Sequence, residues 1–246
     1  MSQITNSVLM IRPVAFRMNE QTAVNNYYQK VLDNTTPATV NAKAQIEFDT
    51  FVEKLRSVGV EVIVIEDTLN PDTPDSIFPN NWISFHDNGD VVLYPMFAEN
   101  RRLERREDIL DLLEEKGFKI ENIIDYTAAE EDNIFLEGTG SLIIDRENEK
   151  VYAALSPRAD EELIIEFCEE FYYDPIIFEA YQDTEDSRKP IYHTNVMMCI
   201  ADEFAVICAD SIDDKQERKI VVKHLKDSGK EVIYITEDQV NNFAGN

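Results

Sequence analysis

Cysteine and positive charge are both scarce in this sequence. Three cysteines, Cys168, Cys199 and Cys208, occur in 246 residues. An odd count without paired spacing excludes a disulfide framework and a zinc motif, and it fits a reducing, cytoplasmic setting. Lys and Arg number 23 against 49 Asp and Glu, a formal net charge of −26. Such a surface repels phosphates, which argues against nucleic acid and anionic membranes as partners. No basic start followed by an apolar core marks a signal peptide, and no apolar run approaches the length of a membrane span. Much of the acid falls on predicted helix faces at 104–115 and 160–170, where it is solvated.

What is present is a repeat. Phe135-Leu136-Glu137-Gly138-Thr139-Gly140-Ser141, followed by Leu142-Ile143-Ile144-Asp145, sets an acid before two glycines and then an apolar run. Glycines suit a strand start that another backbone or a ligand approaches closely, and 142–144 reads as a buried strand. Glu137 is therefore expected at the mouth of a strand, its carboxylate aimed out of the sheet end. The same order of strand, tight turn, strand, helix and strand occurs three times. The first copy has strands at 81–85 and 91–96, a helix at 103–116 and a strand at 120–126. The second has 140–145, 151–155, 160–171 and 176–180, and the third 195–200, 205–209, 214–227 and 232–235. Asn81, Gly138 and Asn195 recur about 57 residues apart.

A strand at 7–11, a helix over 42–58 capped by Gly59 and a strand at 60–65 read as a fourth copy. Its early part is expanded into a loop, a candidate lid, with 33–39 assigned to loop by its Asn, Thr and Pro content. One unit cannot bury its own sheet face, so the units are expected to close around an axis as blades do. The prediction is one α/β domain over 1–246, with units at 7–66, 80–127, 137–182 and 193–237. A fifth unit starts at 242–246 and is incomplete in this chain.

Symmetry makes the positions before each first strand equivalent: Asn80 and Asn81, then Glu137, then His193. A carboxylate, an imidazole and amides converging on one axis form a site for proton transfer and for binding a planar polar group. Of the three histidines only His193 precedes a repeat strand. His224 lies in a helix among lysines and is expected at the surface, while His86 ends a strand beside Asp87. Trp82 is expected in the core. Arg158 has few bases around it and is the better partner for a ligand carboxylate. Arg105 and Arg106 are expected in ion pairs with neighbouring acids.

Several motifs occur together and in order: Pro74-Asp75-Ser76-Ile77-Phe78-Pro79-Asn80-Asn81-Trp82, Asn100-Arg101-Arg102, Leu136-Glu137-Gly138-Thr139-Gly140-Ser141, Leu155-Ser156-Pro157-Arg158 and His193-Thr194-Asn195. On these the chain resembles the guanidino-group-modifying (pentein) superfamily. Within it the chain is similar to dimethylarginine dimethylaminohydrolases, to arginine deiminases and, more closely, to amidinotransferase-like citrulline-utilisation hydrolases. The resemblance implies a five-bladed pseudo-symmetric α/β propeller of strand-strand-helix-strand units. It also implies a hydrolase of the ureido or guanidino C–N bond of citrulline or an arginine-related amino acid. A cysteine thiolate would attack the central carbon, ammonia or an amine would leave, and water would hydrolyse the covalent intermediate. His193 would shuttle the protons, and Glu137 would bind the planar nitrogens and orient the imidazole. Arg102 and Arg158 would hold the substrate carboxylate, with Asp75, Asn80 and Asn81 at the planar group or the α-amine. No cofactor or metal is implied. The partner is a small amino acid, and homo-oligomerisation is left open.

The sequence departs from that pattern twice. Asn81 stands where many relatives carry aspartate. An amide donates as well as accepts, which suits the neutral ureido oxygen of citrulline. The family's nucleophilic cysteine lies in a last segment beyond the fourth unit, and none of the three cysteines here replaces it. Cys168 falls on a helix, and Cys199 and Cys208 fall within strands, where they are expected to be buried and inert. Alternative readings are an amidinotransferase and a non-catalytic binding protein for such amino acids. Glu137, His193 and Arg158 favour the hydrolase, since a binding protein has little need of an imidazole at the axis.

Overall fold

A computed structural model describes residues 2–29, 35–184 and 187–246. The chain divides into two compact units, Thr5–Asp125, and Met1–Ile4 with Tyr126–Asn246. The fold is mixed α/β. The sheets are separate among the described residues and close no barrel. No helix among those residues is long and apolar enough to cross a membrane.

The unit Thr5–Asp125 begins with strand β1 (Ser7–Arg12), helix α1 (Pro37–Ser57) and strand β2 (Glu61–Glu66), the two strands running parallel. Both strands are apolar at nearly every position because both faces are covered. Leu9, Ile11, Ile63 and Ile65 join one core cluster, while Val8, Met10, Val62 and Val64 face Phe48 and Val52 in the other. Alternation at period two makes that division. Helix α1 starts five residues earlier than expected. The Thr36 side chain accepts from the Thr39 amide, and Pro37 occupies the first turn, where its missing N–H costs nothing. An exposed first stretch hides this start from the apolar pattern. Residues 30–34, with part of the loop expected at 33–39 and of the candidate lid, lie outside the described residues.

Strands β3 (Ile83–Phe85) and β4 (Asp90–Leu93) pair antiparallel, and β5 (Asn122–Asp125) runs parallel to β4. The helix expected at 103–116 starts later, as α3 (Glu107–Glu115), because its N-cap Arg106 is extended at ψ 115°, and a separate helical turn, α2 (Glu99–Arg102), precedes it. Ile109 and Leu113, one turn apart on α3, share the core with Trp82, Ile83, Val91 and Met96.

The second unit repeats this plan twice. Helical turn α4 (Gly138–Ser141) leads into β6 (Ile143–Asp145), β7 (Lys150–Ala154), α5 (Glu161–Phe171) and β8 (Asp174–Phe178). A short hairpin of β9 (Tyr181–Asp183) and β10 (Arg188–Pro190), absent from the sequence expectation, comes next. Then follow β11 (Met198–Ile200), β12 (Phe204–Ile207), α6 (Lys215–Asp227), β13 (Glu231–Tyr234) and α7 (Glu237–Val240). Each three-stranded sheet has an antiparallel first pair and a parallel second pair. Asp160 and Asp214 cap α5 and α6 by accepting from two backbone amides each. Residues 242–246, expected to start a fifth unit, form no strand; 241–245 is a turn after α7, with Phe243 at φ 63°.

Strand register corrects the expected equivalence of Asn80, Asn81, Glu137 and His193. Ile83, Ile143 and Met198 open the first strands and pair with Leu93, Tyr152 and Ile207. Asn81 stands two residues before its strand, Glu137 six and His193 five. Asn81, Gly138 and Asn195 do share the short helical turn ahead of each strand, but not one position in it. The turn spans 79–81, 138–141 and 194–196, and it differs in winding. Gly138 sits at φ 42°, where a side chain would be strained.

Trp82 is 2% exposed in the centre of its cluster, as expected. We predict that Trp82→Ala lowers unfolding free energy by about 3–5 kcal/mol in denaturant titration. A loss below about 1 kcal/mol would show that the cluster does not depend on it.

Candidate active-site residues

Glu137 is fully buried. Its position follows from a local ladder. Leu136 bridges Ala159 antiparallel, the Glu137 amide donates to the Arg158 carbonyl at 2.9 Å, and the Asp160 amide donates to the Phe135 carbonyl at 2.9 Å. Ser141 Oγ adds a 2.7 Å bond to the Arg158 carbonyl. These bonds set the 1%-exposed Arg158 beside Glu137, and its NH1 donates to Glu137 Oε2 at 3.2 Å. The same oxygen lies 2.7 Å from His193 Nε2. Carboxylate, guanidinium and imidazole therefore meet at one oxygen atom.

Neighbouring groups hold that arrangement. Tyr192 packs its ring 4.7 Å from the His193 ring and 5.1 Å from Arg158 Cζ, within reach of a cation–π contact. Ser156 Oγ donates to the Tyr192 carbonyl at 2.9 Å and accepts from the Arg158 amide at 3.1 Å. Thr194, wholly buried, donates to the Ser141 carbonyl at 2.6 Å and accepts from the Ala154 amide at 2.8 Å. Tyr192, Ser156 and Thr194 stand inside or beside the sequence motifs, but nothing in composition or spacing marks them as supports.

The remaining expected residues lie in the unit Thr5–Asp125. Asp75 is buried, and its Oδ2 accepts from Asn19 Nδ2 at 2.8 Å and Thr22 Oγ1 at 3.1 Å. Asn19 also exchanges bonds with Asn100 at 2.8 and 3.2 Å. Neither Asn19 nor Thr22 was legible, since 12–31 carries no period. Asn81 is buried and Asn80 half-buried. Asn81 Oδ1 accepts from Arg101 NH1 at 2.7 Å, and Arg101 holds Glu104 through two 2.9 Å bonds. Arg102 donates to the Met96 and Phe97 carbonyls. Arg106 pairs with Asp108, which raises the guanidinium's pKa and lowers that of the carboxyl. Arg105 reaches the Tyr94 carbonyl. His86 is buried against Ser84 Oγ, which also meets the Tyr94 hydroxyl at 2.7 Å. His224 is half-buried on α6.

Burial pushes the Cys168 thiol up to about 12, and it raises Cys199 and Cys208 as well. A nucleophilic cysteine needs the opposite shift. Among the described residues no group of three His, Cys, Asp or Glu is placed to hold a metal ion.

Comparison with known proteins assigns the family. The family model described as N,N dimethylarginine dimethylhydrolase, eukaryotic, matches residues 12–246. The chain belongs to this family, and with it to the guanidino-group-modifying (pentein) superfamily. No curated protein matches significantly. Among solved structures the chain is similar to ArgZ, an arginine dihydrolase from the ornithine–ammonia cycle in cyanobacteria. The TM-score is 0.66 at 15% identity, over 98% of this chain and 31% of that one. The substrate-bound N-terminal domain of ArgZ gives 0.72 at 15%, covering 98% and 79%. A dimethylarginine dimethylaminohydrolase bearing an S-methyl-L-thiocitrulline adduct gives 0.61 at 12%, covering 96% and 78%. The chain thus spans about a third of full-length ArgZ, and these likenesses concern the fold.

Two measurements probe this cluster. Thr194→Val strands a buried amide and a buried carbonyl, so it should cost about 1–3 kcal/mol of stability, while Thr194→Ser should cost much less. Equal losses would show that only the methyl matters. Native protein at pH 8 should react with a thiol reagent far more slowly at Cys168 than unfolded protein does. Prompt native modification would contradict its burial.

Proposed function

We propose that the chain is a hydrolase acting on the ureido or guanidino C–N bond of a small amino acid, citrulline ahead of arginine. The observation that carries this is His193 Nε2 lying 2.7 Å from a wholly buried Glu137 carboxylate. An imidazole oriented by a carboxylate suits proton transfer to a departing nitrogen and from an attacking water. A cysteine thiolate forms the C–S bond as the first C–N bond breaks, and His193 protonates the leaving nitrogen. Water, losing its proton to His193, then breaks the C–S bond and restores the thiolate. None of Cys168, Cys199 and Cys208 is assigned as that nucleophile, given their raised pKa values.

Arg158 is read as the carboxylate partner, with Arg102, and Asp75, Asn80 and Asn81 as further substrate contacts, on the motif resemblance. At 3.2 Å Arg158 rests on Glu137. A substrate with its planar end on Glu137 carries its carboxylate several bonds away, so Arg158 would leave Glu137 to take it. The shared strand order of β3–β5, β6–β8 and β11–β13 supports reading the fold as a five-bladed propeller. The scarcity of cysteine supports reading the setting as cytoplasmic. The second reading, a binding protein without turnover, draws on the three raised thiols.

The test is ammonia release by the full-length polypeptide from citrulline and arginine at equal concentration. We expect citrulline to be faster, and His193→Ala to lower the rate about 10²–10⁴-fold with the fold retained. Faster release from arginine overturns the citrulline assignment, and a near-normal rate in His193→Ala overturns the proton-transfer role. Binding without release favours the second reading.

A further inference from the structure

Arg101 stands in the Asn100-Arg101-Arg102 motif and is 3% exposed. Its Nε and NH2 grip the two oxygens of Glu104 at 2.9 Å each, and NH2 also reaches the Phe78 carbonyl at 3.1 Å. That planar fork aims NH1 at the Asn81 side chain, 2.7 Å away. A guanidinium carries donors only, so the Asn81 atom that faces it has to be the oxygen. Turning the amide over would set two donors against each other. Asn81 Nδ2 makes no hydrogen bond among the described residues and is not among the enclosed unpaired atoms. The amide therefore presents its NH2 group, and only that group, away from Arg101.

We propose that Arg101 is a positioning residue that locks the Asn81 amide with its donor outward. This rests on the functional reading above and sharpens it. Position 81 offers a ligand two N–H donors while its oxygen is turned to Arg101, so it selects a neutral ureido oxygen and disfavours a donor-only guanidinium. Glu104 has a part in the lock. It cancels the Arg101 charge and fixes the fork in the plane that meets Asn81.

Two readouts test this. The first needs no ligand. In Asn81→Asp the introduced carboxyl, followed by carbon NMR, should titrate well below the ordinary carboxylate range because Arg101 holds it. Adding Arg101→Met should raise it to that range or above. A carboxyl indifferent to Arg101→Met overturns the lock. The second readout is calorimetric affinity for citrulline and for arginine. The unaltered protein should favour citrulline about tenfold or more, Asn81→Asp should reverse the preference, and Arg101→Met should bring the ratio towards one. A ratio unmoved by Arg101→Met in a folded protein also overturns the proposal. Should Arg101→Met not fold, Arg101→Gln removes the charge, lets the Asn81 amide turn either way and is read in the same way. If the titration behaves as expected but neither ligand binds, the lock stands and the reading of the substrate fails.

Discussion

Everything in the second unit that bears on chemistry depends on one oxygen atom, Glu137 Oε2. It is wholly buried and shared by His193 at 2.7 Å and Arg158 at 3.2 Å. A carboxylate without water is tolerated only when its charge is met by partners with good geometry. The pairing of 135–137 with 158–160 delivers the guanidinium, and the turn at 194–196 delivers the imidazole. Thr194 ties the Glu137 and His193 segments to β7 through the Ser141 carbonyl and the Ala154 amide. Removing one partner of such a cluster leaves a buried charge, which typically costs about 3–5 kcal/mol. The cluster therefore constrains the fold whatever chemistry it serves.

Much of the architecture was legible because helices and strands carry different periods. Asp160 and Asp214 announced α5 and α6 within a residue of their observed starts, and the apolar β1 and β2 runs read as strands. What failed to show had a physical reason each time. Helix α1 opens with exposed residues, so its start is carried by Thr36 and Pro37 and not by apolar spacing. The helix expected at 103–116 begins only after Arg106, whose extended backbone angle charged residues do not advertise. The β9–β10 pair is too short for alternation to register.

The site was legible in kind but not in detail. Glu137, His193 and Arg158 were found through motif position, and the structure brings them together in one unit. The reasoning by strict repeat overreached, because the helical turn before each first strand differs in length and winding. Register is counted from paired strands, and a variable turn uncouples the residues ahead of it. The polar neighbours of Asp75 stayed hidden for another reason. Asn19 and Thr22 lie in a stretch without period, and side chains meeting across long sequence separations leave no local signal.

The buried charges follow a common pattern within each unit taken by itself. In one, Glu137 and Arg158 cancel and the carboxylate's remaining valence holds an imidazole. In the other, Glu104 and Arg101 cancel and the guanidinium's remaining donor holds an amide. In both, the ion pair is internal and its net charge is close to zero, although the chain as a whole carries −26. The excess acid is on the surface, where water screens it, and it says little about what the buried groups prefer. A guest that brings its own cation to such a neutral cluster has to break a pair to be satisfied, and it bears that cost. A guest with a polar, uncharged planar end meets spare hydrogen-bonding valence at that end, and under the proposed binding mode only its carboxylate draws Arg158 from Glu137. Under the proposed reading the ureido end gains from hydrogen bonds already oriented, while a guanidinium needs its own charge matched as well.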